Sequence, residues 1–482
     1  MSCLSGDLLV SGNVQVSAET IINLRNIDQL CRTATICALP DDVLLEIFSF
    51  HLDPEGPLDA WHTLVHVCRQ WRYVVFASPR SLNLRLRCTN QRSVPTMLDV
   101  WPALPIVVEG RSGMSRPQVE RNVMTSLKQR DRVCKIDLWP APILFLKRMR
   151  AIKGPFLALT DLELCSTNSE KAPLLPNSFL GGSAPRLRSL RLDGIPFRGL
   201  PKLLLSTTEL VYLELSDIPN SGYISPEVMA TSLASLTRLQ RLCVGFCPQS
   251  YVVADRLPHP PTRTVLPALT SLHFTGDHKY LEVILSRIDA PLLHYIQLEA
   301  FRKQVFDARQ LRHLISRTET FKEAHRATVE FYDSCMGLNI FSRGVTTDHR
   351  LLELETSRTA SYWPLSGFAQ LCSSALPPLP ILERFEIYKY GEHWRDPMGN
   401  TEWLELLHPF TSVKNLVLND KVAGCLAPAL QGLTVETVTG TLPALETLSL
   451  KASARFGPTR EAIAQFVATR QLSGRPVAVH YD

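Results

Sequence analysis

Residues 184–192 read Ala184-Pro185-Arg186-Leu187-Arg188-Ser189-Leu190-Arg191-Leu192. Leu187, Leu190 and Leu192 stand in the pattern apolar-x-x-apolar-x-apolar. Its second half has the two-residue period of a strand with one buried face. Further copies begin at Val133, Leu159, Leu210, Leu239, Leu269, Leu293, Leu382, Val413 and Leu445. The starts from 133 to 293 are separated by 26, 28, 23, 29, 30 and 24 residues, and those from 382 to 445 by 31 and 32. Self-similarity at such a period is the mark of a repeat array. The 89-residue gap between Leu293 and Leu382 has room for three units. Ala324-x-x-Ala327-x-Val329 and the degenerate Leu352-x-Leu354 are the expected copies there.

A second signal travels with the first. Pro185, Pro267, Pro291, Pro380 and Pro443 each lie two residues before the first apolar position of a copy. Proline cannot continue a preceding helix and favours an extended lead into a strand. The spacing resembles a leucine-rich repeat, whose period is about 20–29 residues, although here it runs long and irregular. The resemblance implies an α/β solenoid, each unit giving a short parallel strand and a returning helix or loop. It departs from the usual Asn or Cys three residues after the last apolar position. Only Cys247 fits, among Thr167, Ile195, Ile218, Asp277 and Phe301. An ordinary α/β domain with scattered strands is the alternative. A helix around 459–470 and a last strand over Leu472–Val479 would cap the array.

Composition sets the outer bounds. The chain has 482 residues, more than one core usually organises, so at least two units or one extended array are expected. Hydrophobic residues make up 45% and charged residues 20%, as in a folded protein. A net charge of +5 is near balance, and Lys147-Arg148-Met149-Arg150 is too short for a nucleic-acid arm. The 12 cysteines are scattered, with Cys243 and Cys247 the closest pair, so no metal and no cofactor is expected. No secretory signal is read at the N-terminus, and apolar runs such as Ile143–Leu146 are far too short for a membrane span. The expectation is a cytoplasmic or nuclear protein with free thiols, binding neither nucleic acid nor membrane.

Ahead of the repeats the pattern differs. In residues 1–37, Ile21, Ile22, Leu24, Ile27 and Leu30 would line one short helix. At residue 38 the texture changes. Leu39-Pro40-Asp41-Asp42 is a good helix start, because the acids favour the positive end of the helix dipole. Val43, Leu44, Ile47 and Phe48 recur at helical spacing. Asp53-Pro54-Glu55-Gly56-Pro57 breaks that helix. Asp59 is placed to cap a second helix, on which Leu64, Val67, Cys68 and Trp71 would form one stripe, ended by Ser78-Pro79.

These residues resemble the F-box family. Its signature of Leu-Pro, an apolar helix ending in Ile-Phe, and Val-Cys-Arg-x-Trp corresponds to Leu39-Pro40, Ile47-Phe48 and Val67-Cys68-Arg69-Gln70-Trp71. The Pro/Gly-rich 53–57 stretch is a departure. With the repeats, the whole is similar to F-box proteins of mushroom-forming fungi. The expected organisation is a segment 1–37, an F-box at 38–85 and a repeat region at 86–482. The resemblance implies docking on a Skp-type adaptor and through it on a cullin ligase core. Leu39, Pro40, Val43, Leu44, Ile47 and Phe48 would form much of that surface, with Leu64, Val67, Cys68 and Trp71 completing it.

If the repeat leucines point inward, the residues between them face outward. These are Asp161, Glu163, Ser189, Arg191, Tyr212, Glu214, Arg241, Cys243, Ser271, His273, Tyr295, Gln297, Arg384, Glu386, Asn415 and Thr447. Glu163, Arg191, Tyr212, Glu214, Arg241, His273, Tyr295 and Arg384 are the expected contacts to a target protein, which the sequence does not identify. Catalytic signals are poor. His62 and His66 are four apart, but no further ligand is placed by spacing. His393 with Glu392 and Asp396 is equally unsupported. Gly181-Gly182-Ser183 lacks the Lys-Ser/Thr of a phosphate cradle. The expectation is a non-catalytic adaptor that holds a target near a ligase. A scaffold without ligase recruitment is the alternative, and a cryptic hydrolase in the irregular 320–400 region is a third reading.

Overall fold

The computed structural model describes residues 39–52, 60–88, 93–110, 117–141, 143–150, 152, 154–166, 168–247, 263–300, 308–333, 335–356, 365–390, 399–450 and 457–481. The helix expected within 1–37, the 53–57 break, Asp59 and His393 with its neighbours lie outside them. The chain divides into two compact units. The first runs to Arg87 and includes Leu98–Pro105, and the second holds Cys88–Met97 and everything from Ile106.

The first unit contains α1 (Asp41–His51), α2 (Trp61–Val65) and α3 (Arg69–Ala77). Asp41 and Asp42 occupy the first turn of α1, where the dipole favours them. The single second helix expected from Leu64, Val67, Cys68 and Trp71 is instead two. The chain leaves helical geometry at Cys68, whose backbone is extended and whose Sγ accepts from the Trp71 amide at 3.4 Å. The cap restarts the helix, so the stripe breaks and Val67 turns outward to 55% exposure. Trp61 is buried and donates from Nε1 to the Arg85 carbonyl at 3.0 Å. Its ring meets Trp101 edge-on at 5.1 Å, which is how Leu98–Pro105 joins this unit.

The second unit is built on one long sheet. In chain order its strands are β1 (Ile106–Gly110), β2 (Val133–Ala141), β3 (Asp161–Ser166), β4 (Ser189–Asp193), β5 (Tyr212–Ile218), β6 (Arg241–Phe246), β7 (Ser271–Gly276), β8 (Tyr295–Ala300), β9 (Ala324–Phe331), β10 (Met336–Ser342), β11 (His349–Thr356), β12 (Arg384–Lys389), β13 (Asn415–Leu418), β14 (Thr447–Leu450) and β15 (Ala478–Tyr481). From β1 to β8 each strand pairs in parallel with the next, as do β12 to β15. Every expected copy from Val133 to Leu445 has its last two apolar positions on a strand of this sheet. Its apolar positions are buried, as at Leu187, Leu190 and Leu192, while Ser189 and Arg191 between them are half-buried. This is an α/β fold with a repeat-built, predominantly parallel sheet.

The prolines do something more specific than lead into an extended strand. The Leu187 amide donates to the Ala184 carbonyl at 3.1 Å, and Leu269, Leu293, Leu382 and Leu445 do the same to the carbonyl three residues back. Proline is the second residue of each turn, where its fixed φ is already correct. Leu159, Leu210 and Leu239 close the same turn without proline. At two of the four described positions of the missing Asn ladder, Ile195 and Ile218, a buried apolar side chain takes its place. One rung survives elsewhere. Asn419 exchanges two hydrogen bonds with the Lys389 backbone, at 2.9 and 3.3 Å, and caps the following helix through Val422.

The 89-residue gap does not hold three ordinary units. After β8 the chain passes through the helix Arg309–Arg317 and enters β9, which lies three places further along the sheet. It then returns through β10 and β11, in the spatial order β8-β11-β10-β9-β12. β10 is antiparallel to both neighbours, while β9 and β11 keep the direction of the array. Antiparallel neighbours need only short connections, here 332–335 and 343–348, whereas parallel ones need a crossover. The copies at Ala324 and Leu352 are therefore real strands in reversed order.

Candidate functional site

In the helical unit the structure sorts the expected docking residues into two groups. Leu44 and Phe48, four apart on α1, are fully buried, and Leu64 on α2 is buried too. Phe48 packs on Trp71 at 4.7 Å. Trp71 and Cys68 are half-buried, and Leu39 is held by a 3.3 Å bond from Gln70 Nε2 to its carbonyl. These are framework residues. On the other side of α1, Val43 and Ile47 are exposed, as is Pro40 at its start. Phe50 continues that face at 81% exposure, since positions i, i+4 and i+7 share one side of a helix. Val67 and Tyr73 add exposed apolar surface on the α2–α3 portion. Phe50 and Tyr73 were not singled out from the sequence, although the helical spacing from Val43 reaches Phe50. His62 packs with tilted rings against Trp61 and Trp101, at 4.0 and 4.9 Å, so its place is aromatic packing.

On the sheet, the face opposite the buried leucines carries two polar rows. Register places Asp137, Glu163, Arg191, Glu214, Cys243, His273, Gln297 and Glu353 side by side. Asp161, Ser189, Tyr212, Arg241, Ser271 and Tyr295 form the adjacent row. Arg191 bridges Glu163 at 3.4 Å and Glu214 at 3.1 Å, with its guanidinium 4.7 Å from the Trp139 ring centre. Tyr212 donates to Glu214 and lies under Arg241. His273 meets Tyr295 edge-on, and Tyr295 donates to Glu353 Oε2 at 2.8 Å, where Arg350 also binds. Seven of the eight expected contact residues thus form one connected polar strip.

Arg384 belongs to a second cluster. It binds Glu386, which is almost buried and is also held by Arg326 at 3.6 Å and by the Tyr388 hydroxyl at 3.1 Å. Arg326 reaches Asp348 at 2.9 Å. Thr447 donates to Asn415 further along. Glu353 was legible between Leu352 and Leu354, but Trp139, Arg326, Arg350 and Asp348 carry no motif. Cross-strand register alone brings them to these positions.

The chemistry of both rows is hydrogen bonding and charge. Burial first, and Glu214 second, push the Cys243 thiol up to about 12. Burial and then Asp193 do the same to Cys165. Both thiols are therefore protonated, the opposite of an activated nucleophile. His273 is lowered by burial and then by Arg241, so it is neutral near pH 7. Among the described residues no group of three His, Cys, Asp or Glu side chains is placed to hold a metal. Nor is any described helix long and apolar enough to cross a membrane.

Residues 36–81 match the F-box-like family model. That span contains α1, α2 and α3. No curated protein matches the chain. Among solved structures, the leucine-rich repeat-containing protein LegL7 from Legionella pneumophila is similar over 81% of this chain and 98% of that one, at 11% identity and a TM-score of 0.26. The repeat fold rests on the strand register and turn geometry above.

Proposed function

We propose that this protein is a substrate-recognition adaptor of a cullin-based ubiquitin ligase. The helical unit docks on a Skp-type adaptor, and the open sheet face holds the target protein. The observation that carries the reading is the sorting of α1 within a segment that matches the F-box-like model. Leu44 and Phe48 hold the unit together, which leaves Val43, Ile47 and Phe50 as an apolar face without a covering element among the described residues. Each such side chain contributes about 1.5–3 kcal/mol when fully buried, so a few of them suffice to anchor an interface. Exposed apolar clusters of this kind mark binding sites.

The protein supplies no chemistry of its own in this reading. Holding a target beside the ligase raises the effective concentration of its lysines, and transfer is carried out by partner subunits. The likeness to fungal F-box proteins and action in the cytoplasm or nucleus belong to the same proposal. Co-expression with a Skp-type adaptor and size-exclusion chromatography test it. A co-eluting complex is expected with the wild-type chain. Elution of the folded chain without the adaptor would leave a repeat scaffold that recruits no ligase.

A further inference from the structure

Phenol–carboxylate pairs recur along the open sheet face. Tyr212 donates to Glu214, Tyr295 to Glu353, Tyr388 to Glu386 and Tyr332 to Glu330. In the first three the carboxylate has a cation of this chain. Arg191 binds Glu214, Arg350 binds Glu353, and Arg326 with Arg384 bind Glu386. The other aromatic faces are likewise covered from within, Trp139 by Arg191 and Phe341 by Arg326 and Arg350. Tyr332 and Glu330 break the pattern. Among the described residues no Lys or Arg forms an ion pair with Glu330, and none lies over the Tyr332, Tyr388 or Tyr390 rings. Lys421 donates to the Tyr390 backbone carbonyl, at 3.5 Å.

The geometry there is a platform. Glu330 is in register with Tyr388, so both side chains share one face. Tyr332 and Tyr390 extend the two strands and are tied by a 2.9 Å bond from the Tyr390 amide to the Phe331 carbonyl. Their rings stack at 5.2 Å, and Tyr388 stacks on Tyr390 at 6.0 Å. Tyr332 is 39% and Tyr390 52% exposed, so large ring area stays in water. A ring face is the negative end of its quadrupole, and a phenol that donates to a carboxylate is richer still in electron density. A stack of three phenol rings, two of them donating to carboxylates, beside a Glu330 that forms no ion pair with a described Lys or Arg is complementary to a positive side chain.

We infer that Tyr332, Tyr388, Tyr390 and Glu330 form an anchor for a lysine or arginine side chain of a basic segment in the target protein. The inference rests on the reading of the open sheet face as the target-binding surface. A cation over the rings gains the quadrupole attraction and the Glu330 charge together. A neutral proline or aromatic side chain gains only the stacking.

The test uses the full chain and three labelled peptides: Lys and Arg alternating with Ala, its Glu counterpart, and a neutral Gln/Pro version. Fluorescence anisotropy is expected to show saturable binding of the basic peptide alone. Tyr332→Ala with Tyr390→Ala should weaken it about tenfold, and Glu330→Gln several-fold. Tyr332→Phe with Tyr390→Phe should restore most of the affinity, because the ring faces remain. Undiminished binding to the double alanine variant would overturn the anchor in favour of diffuse attraction. Equal binding of the neutral peptide would overturn it in favour of plain stacking. Absence of basic-peptide binding would also overturn it. Adaptor capture measured on the same preparation separates the two claims, since it reads the helical unit only.

Discussion

Phe48 and Trp71 meet inside the helical unit with their ring centres 4.7 Å apart and their planes tilted by 60°. Phe48 is fully buried, while Ile47 beside it in sequence is 40% exposed. Phe48→Ala should therefore cost about 3–5 kcal/mol, as large-to-small core changes of aromatic residues do. Val43→Asp and Ile47→Asp should stay within about 0.5 kcal/mol of wild type. Chemical denaturation followed by tryptophan fluorescence reads both. Comparable destabilisation by the two classes of variant would remove the distinction between framework and docking surface.

Cys68 starts α3 through its sulfur, three residues after α2 ends at Val65. Replacement by Ser, a preferred capping residue, should be tolerated. Cys68→Val, which cannot accept a hydrogen bond, should lower stability by about 0.5–2 kcal/mol. Equal melting of the Ser and Val variants would show that the cap contributes nothing.

Arg470 is fully buried in the helix Pro458–Leu472 and donates to the carbonyls of Val438, Leu442 and Leu445, at 3.2, 3.5 and 3.0 Å. Burial, and Arg475 next, lower its pKa, so the site is costly for a cation and is sustained by those acceptors. Arg470→Met would strip the carbonyls of their donor at a cost of about 1–3 kcal/mol. Arg470→Lys should recover only part, because an ammonium cannot fork between them. A methionine variant as stable as wild type in a thermal melt would contradict this clamp.

His273 gives the sheet face a pH dependence of definite sign. Its folded pKa lies below the ordinary histidine value of 6.5, by burial first and Arg241 second, against the opposing pull of Glu353 and Glu214. Below about pH 6.5 the unfolded chain binds a proton that the folded chain refuses. Its contribution to stability is thus neutral above that value and grows unfavourable as pH falls toward the folded pKa. His273→Gln should flatten that part of the stability curve. An unchanged slope between wild type and variant would refute the linkage.

Much of this architecture is legible in the sequence, for a physical reason. The repeat leucines are selected by burial with period two, and burial leaves a pattern in one dimension. The F-box-like signature is legible because Phe48 and Trp71 pack together within a short span and Gln70 ties the Leu39 carbonyl to the same unit. What the sequence conceals is long-range register. Nothing in 324–356 announces that β10 runs backwards, because alternation looks the same in either direction. The stack of Tyr332 on Tyr390 joins residues 58 apart, and only the parallel pairing of β9 with β12 brings them together. The break at Cys68 was hidden by an apolar spacing that a continuous helix would share.

The central claim is that α1 presents a docking face for a Skp-type adaptor. A binding isotherm between the purified full chain and that adaptor tests it most directly. Saturable one-to-one binding is expected, with Val43→Asp/Ile47→Asp weakening it at least tenfold while the melting temperature stays at the wild-type value. No binding by the wild-type chain, or equal affinity of the folded double variant, would contradict the account.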